Sequence, residues 1–312
     1  MSLRRLGFAA IIGCFGLMGS LLADEPVLLR YKFAPGDKLI YKTGQESKQT
    51  QTVLNMKMEN VATHETIILR NVDTVDSEGT ATLKTKAERR KLKTGEYLFD
   101  SKSTDRDTTS AIGAALTPLL ERLTGSEYEV LVNPRGTVVD VKGYVELLGD
   151  LINNNPVAQQ VLGAGAGKSG AKIAEQDGFV IFSEKPVRPG DQWESPFDFE
   201  LPGVGQLKGK IVYTYEADDK VGDKKTVRIG VAPEISIELK VDAGGAKVTG
   251  TLSTSNASGS VQFDPQAGRM RKSKRSITMS GQLTVEAGGM TIPVDSQSEE
   301  SNTIELIEKL PD

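Results

Sequence analysis

The fold is decided by stretches such as SITMSGQLTV, residues 276–285, in which apolar and polar side chains alternate. The same alternation recurs in ISIELKV (235–241), VRIGV (227–231) and LNMKM (54–58). A period of two is typical of antiparallel strands that bury one face and expose the other. Turn-forming residues, such as DSEG at 76–79, separate these stretches at spacings that suit hairpins. The sequence therefore predicts a chain dominated by antiparallel strands.

Helical signals are confined to the middle of the chain. Apolar residues between Ile112 and Leu123 fall on one helical face, and we expect Pro118 to kink or restart this helix and Gly125 to end it. A second amphipathic segment runs from Tyr144 to Ile152. Asn155 and Pro156 are expected to open a short third helix.

Two short motifs occur twice in the same order. The tripeptide Pro-Gly-Asp stands at 35–37 and again at 189–191, and each copy leads into a predicted strand. Further along, NPRG at 133–136 and DPQAG at 264–268 both place an Asx-Pro turn and a glycine between two strands. This order predicts an internal duplication of about half the chain.

The duplication predicts how the chain is divided. We expect a first β-rich repeat with a helical insertion over residues 24–152 and a second β-rich repeat over residues 178–312. Residues 153–177 are expected to form a helical and glycine-rich connection, in which the glycine- and alanine-rich residues 163–170 are flexible.

Three motifs also carry a resemblance to a known family: FAPGDKLIY (33–41), NPRGTV (133–138), and the second Pro-Gly-Asp with Trp193 just after it. In these motifs the chain resembles an uncharacterised family of exported bacterial envelope proteins, defined by a domain of unknown function. The resemblance covers nearly the whole mature chain and implies a predominantly β, two-part envelope protein. It implies no activity, because none is established for that family, and therefore no catalytic residues.

The N-terminus predicts export. Arg4 and Arg5 precede an uncharged run, residues 6–22, which ends after Ala23. This arrangement is typical of a Sec-type signal peptide, here residues 1–23, and the run is marginal in length for a membrane span. IIGC at 11–14 resembles a lipobox, which would make Cys14 a lipid anchor, but the apolar run continues past it and favours cleavage near Ala23. We expect a periplasmic or extracellular protein without a transmembrane span in the mature chain.

The composition excludes several classes of protein. One cysteine cannot form a disulfide within the chain, and with one histidine a Cys/His zinc site lacks its ligands. Lys and Arg number 38 against 42 Asp and Glu, which gives a net charge of −4 and argues against a nucleic-acid partner.

Individual motifs predict no catalytic, cofactor-binding or metal-binding residues, and no cofactor. GAGKSG at 165–170 fits a glycine-rich phosphate loop, but Leu162 stands where a Walker motif needs glycine and the preceding segment looks helical. The only histidine, His64, has no nucleophile motif near it and fits a structural or solvated role. The acidic residues between Asp218 and Asp223 lack the EF-hand spacing and fit a solvated hairpin turn. A carboxylate pair of the glycosidase kind is left open, because Asp and Glu are abundant.

Two basic runs and five methionines each allow two interpretations. The runs comprise Lys84, Lys86, Arg89, Arg90, Lys91 and Lys93, and then Arg269, Arg271, Lys272, Lys274 and Arg275. They fit contact with an anionic surface such as lipid headgroups. We favour the alternative, a solvent-exposed sheet face on which lysines prevent pairing between sheet edges. The methionines Met56, Met58, Met270, Met279 and Met290 fit an adaptable apolar groove or, more commonly, core filling.

These patterns together predict an α+β, predominantly antiparallel β fold. We expect two tandem curved, half-barrel-like sheets, with a few helices from the first half and the linker packed on them. By analogy with envelope carriers of that shape, we expect a non-catalytic protein of the cell envelope that binds or carries an apolar, lipid-like ligand. The alternative is a structural or protein-interaction module that docks on another envelope component without a small-molecule ligand. An enzyme is the least favoured class.

Overall fold

A computed structural model describes residues 25–153, 167–243 and 245–311 of the chain. The predicted signal peptide with Cys14, and the helix predicted at Pro156, lie outside these residues. The strands are β1 (Lys38–Val53), β2 (Met56–Val75), β3 (Ala81–Thr94), β4 (Tyr97–Asp100), β5 (Glu127–Val132), β6 (Val138–Lys142), β7 (Gln192–Leu201), β8 (Gly205–Val221), β9 (Lys224–Ala243), β10 (Ala246–Asp264), β11 (Arg269–Ala287) and β12 (Met290–Ile307). The helices are α1 (Ala111–Leu123), α2 (Tyr144–Asn153) and α3 (Lys168–Gln176).

All twelve strands belong to one sheet, so the expectation of two tandem half-barrel-like sheets is wrong. The order is β6-β5-β3-β2-β1-β12-β11-β10-β9-β8-β7, with β4 on the side of β3. The two halves join where β1 pairs with β12, antiparallel, from Ile40 opposite Ile307 to Val53 opposite Val294. In the described residues β6 and β7 are the two outer strands and do not pair with each other, so the sheet is open.

The sheet curls because both of its ends pack on the same central segment. Val130 of β5 and Ile229 of β9, which lie far apart in the strand order, belong to one hydrophobic cluster. Tyr31 and Phe182 lie at its centre, with ring centroids 5.2 Å apart, and Tyr31 is 5.3 Å from Phe263 of β10. One face of the sheet is therefore concave and wraps around the segments that precede β1 and β7.

The first two helices form where the sequence predicts them. Ser110 caps α1 by accepting a hydrogen bond from the backbone N–H of Gly113 at 3.0 Å. The helix passes through Pro118 as one element and ends at Thr124, whose N–H bonds the carbonyl of Leu120. A second hydrophobic cluster packs α1 and α2 against β4, through residues such as Phe99, Leu119 and Leu148. These two helices therefore pack on β4 and on Leu92 of the neighbouring strand β3.

The third helix begins inside the stretch that was expected to be flexible. Gly167 is its N-cap, and Lys168, Ser169 and Gly170 form its first turn. At the other end, the Gln176 side chain accepts from the N–H of Val138 and donates to the carbonyl of Gly136, both at 2.9 Å. The prediction of a flexible connection is therefore wrong for residues 168–170, because α3 is attached to the edge of the sheet.

The two Pro-Gly-Asp turns have the same hydrogen bonds. Asp37 accepts from the N–H of Ala34 at 3.1 Å, and Asp191 accepts from the N–H of Arg188 at 2.9 Å. The N–H of each glycine bonds a backbone carbonyl of the strand after next, Val72 in β2 or Tyr215 in β8. Both glycines have a φ near +90°, a region that favours glycine. The predicted duplication matches these turns and stays a prediction.

Candidate functional site

A pocket of about 270 Å³ lies between the concave face of the sheet and the helices α2 and α3. Strands β1, β2, β3, β5 and β12 form its floor and walls. Its polar lining includes Tyr41, His64, Arg70, Arg90, Tyr144 and Glu175. Ile68, Ala171 and Ile304 add apolar surface. The space under the helices is therefore a mixed polar pocket, where the sequence led us to expect an apolar one.

A buried ion pair forms one wall of the pocket. Arg70 of β2 lies 2.7 Å from Glu175 of α3, and their side chains are 6% and 11% exposed. The Tyr128 hydroxyl donates to the other Glu175 oxygen, and burial and this carboxylate hold the pKa of Tyr128 well above its ordinary range. The Arg70 guanidinium also lies over the Phe179 ring at 4.6 Å. These contacts attach α3 to the sheet.

His64 lies beside a second arginine in the same pocket. Its Nε2 is 3.1 Å from the Thr66 hydroxyl and 3.4 Å from an Arg90 guanidinium nitrogen. Because a guanidinium can only donate, Nε2 accepts and the ring proton is on Nδ1. Burial, and then the Arg90 charge, lower the pKa of His64 to about 4. The imidazole is therefore neutral at neutral pH.

Arg90 of β3 is the second arginine of the pocket. Among the residues that the structure describes, it forms no ion pair with a carboxylate, and its buried Nε has no hydrogen-bond partner. The two predicted basic runs lie mainly on β3 and β11, and most of their other cations form ion pairs with carboxylates. Their ion pairs are Lys84–Asp73, Lys86–Glu88, Arg89–Asp100, Lys91–Asp100, Arg269–Asp37, Arg271–Asp264 and Arg275–Asp177.

A second surface, the apolar trough, continues the concave face beyond the pocket. Its members are half-buried and belong to neither hydrophobic cluster. They are Phe197, Phe199, Leu207, Ile235, Ile237, Leu252, Ile277 and Met279. Strand pairing places them on one face, since Phe199 is opposite Leu207 and Leu207 is opposite Ile237. The trough begins next to the pocket. Its residue Ile277 is opposite Glu300 of β12, and Glu300 is two residues from Asn302, which lines the pocket.

The sequence predicted no site residues, although β2 carries a pattern of polar side chains that indicates the pocket. His64, Thr66 and Arg70 are separated by even numbers of residues on β2, so all three point to the concave face. Polar side chains at the inward positions of a strand indicate a polar pocket. The position of Glu175 could not be inferred in this way, because it depends on how α3 packs.

Other sequence features lie away from the pocket. Val221 and Lys224 are paired at the end of the β8–β9 hairpin, so the acidic segment near Asp223 is a tight turn, as predicted. Lys168, from the glycine-rich motif, pairs with Asp140 at 3.1 Å. In the described ranges no three His, Asp or Glu side chains gather as metal ligands would. Met270 is in the core, whereas Met56, Met58 and Met290 are exposed at hairpin ends.

Comparison with protein families identifies the chain. The model of the family of unknown function DUF6263 matches residues 78–270, which is more than half of the sequence. The protein belongs to the DUF6263 family. The matched region of this DUF6263 protein includes Arg90, Tyr144 and Glu175 of the pocket and six of the eight trough residues, from Phe197 to Leu252. Ile277 and Met279 lie beyond it.

Comparisons with other proteins add no function. The comparison with curated proteins gave no match. Among solved structures, Acinetobacter baumannii OccAB4 is similar at 6% identity and a TM-score of 0.22, and the alignment covers 87% of this chain and 98% of that one. Pseudomonas aeruginosa OccK5 has the same identity and coverages with a TM-score of 0.24. A mutant Rh. blastica porin has 7% identity and a TM-score of 0.20, with 86% of this chain and 100% of that one covered. Scores this low assign neither a fold nor a function.

In the described part of the chain, no helix is both long enough and apolar enough to cross a membrane.

Proposed function

We propose that this DUF6263 protein is a non-catalytic binding protein of the cell envelope, which holds an amphiphilic small molecule on its concave sheet face. The apolar trough carries the proposal. Its side chains lie on a single layer of sheet and are half-exposed, and apolar surface of this kind gains free energy when a ligand covers it. The export signal predicted over residues 1–23 supports the envelope location.

The pocket beside the trough supports an amphiphile over a wholly apolar ligand. A cavity of about 270 Å³ is small for a complete lipid but accommodates a polar end group. The pocket's carboxylates also favour binding over catalysis, because each is already paired: Glu175 with Arg70 at 2.7 Å, and Asp177 with Arg275 at 2.6 Å.

Native mass spectrometry of the mature chain, purified from its own host, tests the proposal. We expect a bound small molecule that solvent extraction identifies as an amphiphile. Phe199→Gln, on the trough, should lower its occupancy, whereas Glu200→Gln, the next residue on the opposite face of β7, should not. Ligand-free protein that also fails to bind added dodecanol would contradict the proposal.

The second candidate is an interaction module of the envelope. Apolar side chains at the ends of the β1–β2 and β11–β12 hairpins favour it, since Leu54, Met56 and Met290 are 70%, 65% and 63% exposed. These residues lie at the far end of the strands from the core. Replacing all three by serine should leave amphiphile binding unchanged if the trough is the functional surface.

A further inference from the structure

We propose that the pocket around Arg90 binds an oxyanion, a carboxylate or phosphate group, at the polar end of the ligand. This inference rests on the proposed function, because the pocket lies at the end of the apolar trough. The inference specifies the chemical class of the ligand's polar end, an oxyanion, and names Arg90 as the residue that selects this group.

The charge balance of the pocket leaves one cation unneutralised. Arg70 is neutralised by Glu175, and Asp177 by Arg275. Arg90 has no carboxylate partner among the described residues, although it is partly buried. A partly buried guanidinium interacts more strongly with an anion than an exposed one does, because solvent screens the charge less.

Several side chains of the pocket have a group that is free to donate a hydrogen bond. With Nε2 of His64 accepting from Thr66 and Arg90, its Nδ1–H is left to donate, and no hydrogen bond to Nδ1 is formed in the described residues. The hydroxyls of Tyr41 and Tyr144 line the same space and likewise have no protein partner in the described ranges. Such a set of donors around a cation is suited to an oxyanion.

A second arginine adds an independent observation. Arg70 is 5% exposed, and its buried Nε has no hydrogen-bond partner in the described residues although the guanidinium lines the pocket. A buried donor without a partner is costly, and a ligand oxygen or an ordered water can satisfy it.

Isothermal titration of the mature chain with matched amphiphiles tests the inference. Dodecanoate and dodecyl phosphate carry an oxyanion, and dodecanol carries a twelve-carbon chain without charge. The anions are used below their micelle concentrations and dodecanol below its solubility limit. We expect at least one of the anions to bind about tenfold or more tightly than dodecanol. Arg90→Gln should remove this preference, so that the anions bind no more tightly to the variant than dodecanol does.

Three further variants make the result specific. Arg89→Gln, next to Arg90 but paired with Asp100, should keep the anion preference, and Arg90→Lys should restore much of it. If Arg90→Gln does not fold, Tyr144→Phe removes one donor hydroxyl, which has no partner in the described structure, and should lower anion affinity several-fold.

The outcomes separate the two proposals. Equal binding of dodecanol and both anions overturns the oxyanion site and leaves the amphiphile function intact. Binding of butyrate or inorganic phosphate that depends on Arg90, without binding of any twelve-carbon compound, supports the oxyanion site for a soluble anion and overturns the amphiphile function. No binding of any of these probes overturns both.

Discussion

The guanidinium of Arg70 lies 2.7 Å from a carboxylate oxygen of Glu175, and both side chains are almost fully excluded from solvent. The pair joins β2 near the middle of the sheet to α3, which is 105 residues further along the chain. Since α3 also forms one side of the pocket, this contact couples the shape of the pocket to the stability of the fold.

Breaking this pair should destabilise the protein strongly. Glu175→Leu leaves Arg70 buried without a counter-charge, and we expect a loss of about 3–5 kcal/mol in the free energy of unfolding. The double variant Arg70→Met/Glu175→Leu should be more stable than Glu175→Leu alone, because no charge is then left unpaired. Urea unfolding measures both changes, with Lys168→Gln as the control, since the Lys168 side chain is 68% exposed and should contribute less than about 1 kcal/mol. A double variant less stable than the single one would contradict this account.

The pKa of His64 should be visible directly, because the chain has one histidine. Burial and Arg90 lower this pKa to about 4 from an ordinary value of 6.5. In a tag-free protein, NMR of the imidazole should therefore show a neutral ring at pH 6, with protonation only near pH 4. A midpoint close to 6.5 would contradict the buried position of the ring beside Arg90.

The same shift predicts a pH dependence of stability. Between pH 6.5 and about 4 the unfolded chain binds a proton at His64 and the folded chain does not, so stability falls as the pH is lowered through this window. The contribution is on the order of 2–3 kcal/mol. His64→Gln should lack it, and the difference between wild type and variant in urea unfolding from pH 7 to pH 4 isolates it from the carboxylates.

Local structure was predictable where the signal is local. The alternation in residues 276–285 predicted β11, and the apolar face from Tyr144 to Ile152 predicted α2. In β12, by contrast, the concave positions include Ser296, Ser298 and Glu300, so the alternation is weak and this strand was not predicted. Without β12 the sequence offered no reason to join the two halves into one sheet.

The candidate site was less predictable than the fold, for a related reason. Arg90 looked like one member of a solvated basic run, because its neighbours Arg89 and Lys91 carry the same charge. Strand pairing separates it from them, because Arg90 is opposite Thr66 on the concave face, and α2 and α3 then enclose it in the pocket. Contacts between residues far apart in sequence, such as Arg70 with Glu175, leave no local pattern.

The two Pro-Gly-Asp turns allow a matched comparison of two aspartates. Both accept a backbone hydrogen bond, and within the described residues only Asp37 of the two also forms an ion pair, with Arg269 at 2.8 Å. Asparagine keeps the acceptor oxygen and removes the charge. We therefore expect Asp37→Asn to cost about 1 kcal/mol in urea unfolding and Asp191→Asn less than about 0.5 kcal/mol. Equal costs would show that the Arg269 contact contributes nothing.

The pairing of β1 with β12 predicts that the two halves unfold together. The ladder joins them along almost the whole length of β1, from Ile40 to Val53, and one hydrophobic cluster contains residues of both. Each half carries a unique probe: His64 in the first, and in the second Trp193, whose indole donates to the carbonyl of Ile181 at 2.8 Å.

Urea unfolding followed by the His64 NMR signal and by Trp193 fluorescence should therefore give the same midpoint. Coincidence of two probes is the signature of a single cooperative transition. Thr50→Pro, near the C-terminal end of β1, removes a backbone donor from a strand that pairs with both β12 and β2, and should lower both midpoints together. If the two midpoints separate in the wild type, the halves are independent folding units, and the β1–β12 ladder contributes little to the stability of either.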